Sequence, residues 1–226
     1  MLMSRYRPGS SPDNLFASAS LFFLVLPIVS LFGTPAGHAY EWSITTIPQS
    51  PKAQQMHSAI YDSLNNRMIV CCQPDLDGQT NDVYALDLST FDGSWSLLTP
   101  NGTAPERRYD HAAIYDAANG RMVLFGGRDW PQPVYGDVYA LDLAAGSEAW
   151  TELHPTATPP SARWCHWAMY DPVNQRMIVF CGLDSSSVIL NDVYSLGLIP
   201  GAEEWTELHP SGEPPSPRMW SSAIYD

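Results

Sequence analysis

His57, His111 and His166 sit in closely matched settings: Met56-His-Ser-Ala-Ile-Tyr-Asp62, Asp110-His-Ala-Ala-Ile-Tyr-Asp116 and Cys165-His-Trp-Ala-Met-Tyr-Asp171. Imidazoles gathered around one axis could share a metal ion. Asp75-Leu-Asp77-Gly78, with Asp82 beyond it, offers the oxygen ligands of a calcium loop, although the spacing is not that of an EF-hand. Two features weigh against both metal readings. A fourth copy, Trp220-Ser-Ser-Ala-Ile-Tyr-Asp226, carries Ser221 in place of the histidine, and Asp82 recurs as Asp137 and Asp192. Groups that recur in register belong to a scaffold first. No Ser-His-Asp set can be singled out either, so no catalytic residue, metal or cofactor is assigned.

The elements that must position these residues follow from the same ruler. The four copies are offset by 54, 55 and 55 residues, and a fixed period of that size means stacked supersecondary units. Arg67-Met-Ile-Val, Arg121-Met-Val-Leu and Arg176-Met-Ile-Val keep the spacing, as do Asp82-Val-Tyr-Ala-Leu, Asp137-Val-Tyr-Ala-Leu and Asp192-Val-Tyr-Ser-Leu, and then Trp95, Trp150 and Trp205. Each unit therefore offers four apolar stretches, too short for helices and rich in β-branched and aromatic residues, which predicts four strands. Asn65-Asn66, Asn119-Gly120 and Asn174-Gln175 predict a two-residue hairpin between the first two strands. One four-stranded sheet cannot cover both its faces, but stacking such sheets radially does, so the expected fold is an all-β propeller.

Composition agrees and narrows the partners. The chain has 226 residues, 24 acids against 11 bases, a net charge of −13 and 15% charged residues. An acidic chain of this kind is a poor nucleic-acid binder. At the N-terminus, Arg5 and Arg7 precede a nearly unbroken apolar run over 17–32, and Gly37-His38-Ala39 supplies the small residues that a signal peptidase reads. The expectation is an export signal over 1–39 cleaved after Ala39, with an uncleaved membrane anchor or a misassigned start as the alternatives. Export to a secreted or extracytoplasmic location makes disulfides permissible.

The repeat resembles the kelch family. Arg108-Tyr-Asp-His111-Ala-Ala opens a unit, Phe125-Gly126-Gly127 closes its second strand, and Tyr139 and Trp150 follow as the family's aromatic pair. The match runs over 41–226. Departures are that Cys71-Cys72 and Cys181-Gly182 stand at the double glycine, Gln54 replaces the opening arginine and Ser221 the histidine. Expected blades lie near 57–99, 111–154 and 166–209, within a propeller domain over 40–226. Trp42 aligns with the fourth strands and 220–226 with a first strand, giving a partial, open propeller of three complete blades and a flanking strand at each end. Known propellers close with about four to eight blades; truncation or closure by oligomerising follows, and exposed blade faces invite self-association.

In such a blade the loop between strands two and three and the link into the next blade emerge on one face, and the hairpin turns on the other. Binding groups sit on loops held by a rigid scaffold. Arg108, Arg163 and Arg218 lie at the inner rim of this face, where the kelch resemblance implies a grip on acidic peptide side chains; pairing with an Asp of the neighbouring blade is the structural alternative. The residues that break the repeat there are Arg128, Trp130, Tyr135, Trp164 and Trp220, suited to peptide side chains or sugar rings. Two classes of function follow: an exported module recognising a protein or glycan, or a fragment of a kelch-type sugar oxidase or sialic acid mutarotase with its catalytic residues elsewhere. The copper radical oxidases of the family need a Cys–Tyr cross-link and copper-binding histidines, a set this chain does not supply. Finally, the hairpin at Asn174-Gln175 brings Cys165 and Cys181 near one another, predicting a disulfide, with Cys71 and Cys72 free.

Overall fold

The computed structural model describes residues 51, 56–72, 81–90, 93–129 and 133–226. Ala39 and the export segment, the strand expected around Trp42, the 75–78 loop and Trp130 lie outside the described residues. The first sheet runs β1 (Ser58–Asp62), β2 (Arg67–Cys71), β3 (Val83–Asp87) and β4 (Ser94–Leu98). After β5 (Asn101–Gly102) the second is β6 (Ala112–Asp116), β7 (Arg121–Phe125), β8 (Val138–Asp142) and β9 (Ala149–Leu153). The third comprises β11 (Trp167–Asp171), β12 (Arg176–Phe180), β14 (Val193–Gly197) and β15 (Glu204–Leu208), with β10 (Arg163–Trp164) and β13 (Leu183–Asp184) forming a two-stranded ribbon beside it. Each blade is an antiparallel meander in sequence order. The described residues contain no helix.

Stacking explains which residues are apolar. Ile60, Ile69, Val83 and Ala85 of the first blade meet Met122, Leu124, Leu141 and Trp150 of the second, whose other face, through Ile114, Val123 and Phe125, meets Met177, Val179, Leu196 and Trp205 of the third. The second strand of the middle blade is consequently buried at all five positions, whereas β12, with a neighbour on one side, alternates buried and half-buried. Each blade also repeats one edge-to-face ring pair: Tyr84–Trp95, Tyr139–Trp150 and Tyr194–Trp205, with centroids 6.5, 6.4 and 6.4 Å apart.

The hairpins differ from the two-residue turn expected. Asp62 pairs with Arg67, Asp116 with Arg121 and Asp171 with Arg176, so four residues form each turn, and the last of them takes the positive φ: Asn66 at 49°, Gly120 at 62° and Gln175 at 49°. The aspartate dictates this. Asn65, Asn119 and Asn174 donate Nδ2–H to Asp62, Asp116 and Asp171 at 2.8, 2.8 and 2.7 Å, an Asx-type closure that favours a wider turn. The arginine after the turn then joins blades. Arg67 bonds Asp62, Glu148 and the Leu143 carbonyl at 2.9, 2.9 and 2.7 Å, and Arg121 repeats this with Asp116, Glu203 and Leu198 at 2.9, 3.1 and 2.9 Å.

Three further expectations are corrected. The cysteines do not stand at both glycines: ladder partners equate Cys71 with Phe125 and Phe180, opposite Val83, Val138 and Val193. Cys72, Gly126 and Cys181 then share the next position, at φ 62°, 67° and 61°. The inter-blade link also adds a short outer strand, since β5 runs parallel to β9 and covers an edge. Lastly, 220–226, expected as a first strand, carries none; it rests against the third blade instead, where Trp220 N–H bonds the Cys165 carbonyl at 3.0 Å and Trp167 Nε1–H bonds the Ala223 carbonyl at 3.1 Å.

Candidate interaction face

The loop joining β12 to β14, the described parts of the loop joining β7 to β8, and the links that enter the second and third blades lie on one face. Arg108 and Arg163 enter it but do not reach solvent: both are fully buried. Arg108 donates to the Glu106 carbonyl at 2.9 Å, to the Gly126 carbonyl at 3.1 Å and, through both terminal nitrogens, to Asp137, with Nη2–Oδ2 at 2.9 Å. Arg163 does the same with the Ser161 and Cys181 carbonyls at 3.1 and 3.0 Å and with Asp192 at 2.6 and 2.8 Å. These paired bonds are the strong, planar kind. The partner is the aspartate of the same blade, not of the neighbour, so each arginine ties a blade's entry to the end of its second strand and the start of its third. Tyr135 packs under Arg108, 4.1 Å from guanidinium carbon to ring centroid. Arg218, the third copy, is exposed and bonds Ser216 O at 3.0 Å.

The residues that depart from the repeat behave differently. Arg128 lies 3.4 Å above the Trp164 ring and 5.1 Å from that of Tyr109, with Nε 3.9 Å from Asp110. Trp164 itself is buried among Cys165, Leu183, Val134 and Met219, so it is a platform for the arginine rather than an open ring face. Arg107 and Asp129 pair at 2.8 Å on the rim, partly exposed. Burial raises the Asp110 carboxyl above its usual range, and the Arg128 charge opposes that rise.

Sequence reasoning missed the apolar tip beside these groups. Val188 and Ile189 are 52% and 41% exposed, close in the chain to Trp220's partner segment: Arg218 N–H bonds the Leu190 carbonyl at 3.1 Å, and Trp220 is 68% exposed. The tip is held rigid, because Asp184 accepts N–H bonds from Ser186 and Val188, both at 2.8 Å. The available signal was an apolar Val-Ile pair directly after Ser185-Ser186-Ser187, where a loop should be polar.

His111 and His166 are interior, and His57 is half-buried. Desolvation, helped by Arg108 and Arg163, pulls His111 and His166 down to about 3, so both are neutral at ordinary pH and neither offers a solvent-facing base. Among the described residues the three histidines do not converge on one point as ligands. Cys165 and Cys181 are free thiols rather than the bridge expected. Both lie past the ladder that ends at Trp167 and Phe180, and their backbones turn apart: Cys165 N–H bonds Asp110, and Cys181 N–H bonds Asp192.

Comparison with known proteins places this geometry. Residues 71–226 match the KLHDC2/KLHL20/DRC7 Kelch-repeats domain. The chain is 32% identical to Adagio-like protein 1 of Oryza sativa subsp. japonica over 140 residues, covering 62% of this chain and 21% of that protein. It is 32% identical to the serine/threonine-protein phosphatase BSL2 of Arabidopsis thaliana over 149 residues, 66% of this chain and 14% of that one. The chain thus spans about a fifth or less of these relatives. Among solved structures, YjhT superposes with a TM-score of 0.55 at 17% identity, over 73% of this chain and 54% of its own, a likeness of fold alone.

Proposed function

The chain belongs to the kelch-repeat family, a family of protein-interaction modules, and from that premise we propose that it recognises a protein surface through the loop face described above. One observation carries the reading: Arg108 and Arg163 are consumed inside their blades, while Arg218 and the residues that break the repeat leave an apolar tip and a charged rim exposed together. Val188, Ile189 and Trp220 supply desolvatable area, and Arg107, Arg128, Asp129 and Arg218 supply orientation, the mixture found in protein interfaces. Export to a secreted or extracytoplasmic site is part of the same reading; what supports it is the apolar run over 17–32 and the Gly37-His38-Ala39 site. A glycan is the competing ligand, favoured by the exposed ring of Trp220.

The test uses the full chain as bait in affinity capture, with two sets of variants. Trp220→Ala with Ile189→Ser alters the loop face, and Leu64→Ser with Val173→Ser alters the hairpin turns, whose side chains are 76% and 77% exposed. Partners retained by the native chain should be lost with the first set and kept with the second. Loss only with the hairpin set contradicts the assignment of the face, and stoichiometric binding on a glycan array without protein capture contradicts the assignment of the ligand.

A further inference from the structure

At the interface of the first two blades, the repeat has been rewritten in one place. At the next interface, Phe125 meets His166 edge to face, centroids 5.3 Å apart, and a Cβ built on Gly126 would come within 2.9 Å of His166 Cε1. The two residues that touch the histidine of the following blade are therefore the last of the second strand and the one after it. Their equivalents in the first blade are Cys71 and Cys72, and the histidine they face is His111. Both contact positions have become thiols together. The positive φ of 62° at Cys72 breaks the alternation of a strand, and the two sulfurs and an imidazole nitrogen of His111 all lie within 4.8 Å of one another.

We propose that Cys71, Cys72 and His111 form a buried binding site for a thiophilic d10 cation, zinc(II) or copper(I). Two thiolates and one imidazole are the ligand set that selects these ions over harder ones. Two metal–sulfur bonds of about 2.3 Å in tetrahedral or trigonal geometry hold their sulfurs roughly 4 Å apart, which fits within the observed spread. His111 is 7% exposed and both its ring nitrogens lack a hydrogen-bond partner, so one is available as a lone-pair donor. His166 is orphaned in the same way but faces Phe125 and Gly126, and so serves as the internal control. Cys71 and Cys72 are 1% and 0% exposed. Binding one ion displaces both thiol protons to solvent, so zinc(II) with two thiolates carries no net charge into the apolar interface, while copper(I) leaves one negative charge near Arg108. Burial pushes the Cys71 thiol up, which keeps that thiol protonated until a metal displaces the proton.

The test is carried out on the reduced full-length chain with zinc(II) and with copper(I), each in competition with a chromophoric chelator. One ion per chain is expected for at least one of them, with two protons released per ion. Cys71→Ser with Cys72→Ser should weaken binding by more than about a hundredfold, the upper worth of outer-shell partners alone, while Cys181→Ser leaves it unchanged. Should the serine pair not fold, Cys71→Phe with Cys72→Gly installs the residues of the second blade and should abolish binding. X-ray absorption on the loaded native chain should report two sulfurs and a nitrogen. Binding of neither ion, binding that survives loss of both cysteines, a metal shell without sulfur, or a Cys71–Cys72 disulfide that persists in reductant would each overturn the proposal.

Discussion

At the scale of single residues, recurrence separates support from function. Arg163 is fully buried and bonded on every side, so Arg163→Leu strips Asp192 of its partner and should destabilise the chain by on the order of 3 kcal/mol. Denaturant titration reads this, and Arg163→Lys should recover little, since an ammonium cannot make the paired bonds. Arg128→Ala, by contrast, removes a side chain stacked on the surface of Trp164 and should weaken partner binding more than stability. His166 gives a pH signature. It is held down to about 3 by burial beside Arg163 and His111, so the unfolded chain binds its proton more readily, and protonation favours unfolding. Its contribution is fully present above about pH 6.5 and is lost as pH falls towards 3, at up to about 1.4 kcal/mol per pH unit. The midpoint in urea should fall between about pH 6.5 and 5.5, above most of the carboxylate titration. In His166→Phe that slope should shrink, and an unchanged slope would show that other groups carry it.

At the scale of elements, glycine lets the middle blade close on its own first strand, and the arginine clamp joins neighbouring blades. A Cβ on Gly127 would lie 2.9 Å from the Tyr109 carbonyl and from His111 Cβ, at φ 94°, so Gly127→Ala should cost roughly 2 kcal/mol or more and lower the melting temperature. The Arg121–Glu203 pair spans two blades, and a double-mutant cycle should return a coupling of about 1–3 kcal/mol, with a similar value for Arg67–Glu148. These elements were largely legible in advance. The strands and their order follow from the repeat period, because each apolar stretch, Trp and Tyr sits at a fixed offset. The turn width was misread because Asn-Gly looks like a two-residue hairpin, while the capping aspartate before it decides the matter. The offset of Cys71 against Phe125, and not against Gly126, emerges only from strand register. The fate of the arginines was the least legible: a sequence shows that Arg108 and Asp137 recur together but not that they close a ring within one blade.

At the scale of the whole molecule, three blades stack in an open row, and burial declines towards the outer face of the third. Ile178 and Phe180 are half-buried where Val123 and Phe125 of the middle blade are fully covered. Scaffold residues point inward, and one loop face meets the partner. Hydroxyl-radical footprinting of the chain alone and bound to a captured partner tests this most directly, residue by residue. The account predicts protection at Val188, Ile189, Arg218 and Trp220 with Tyr61, Leu64 and Val173 unchanged, and protection confined to Tyr61, Leu64 and Val173 would contradict it.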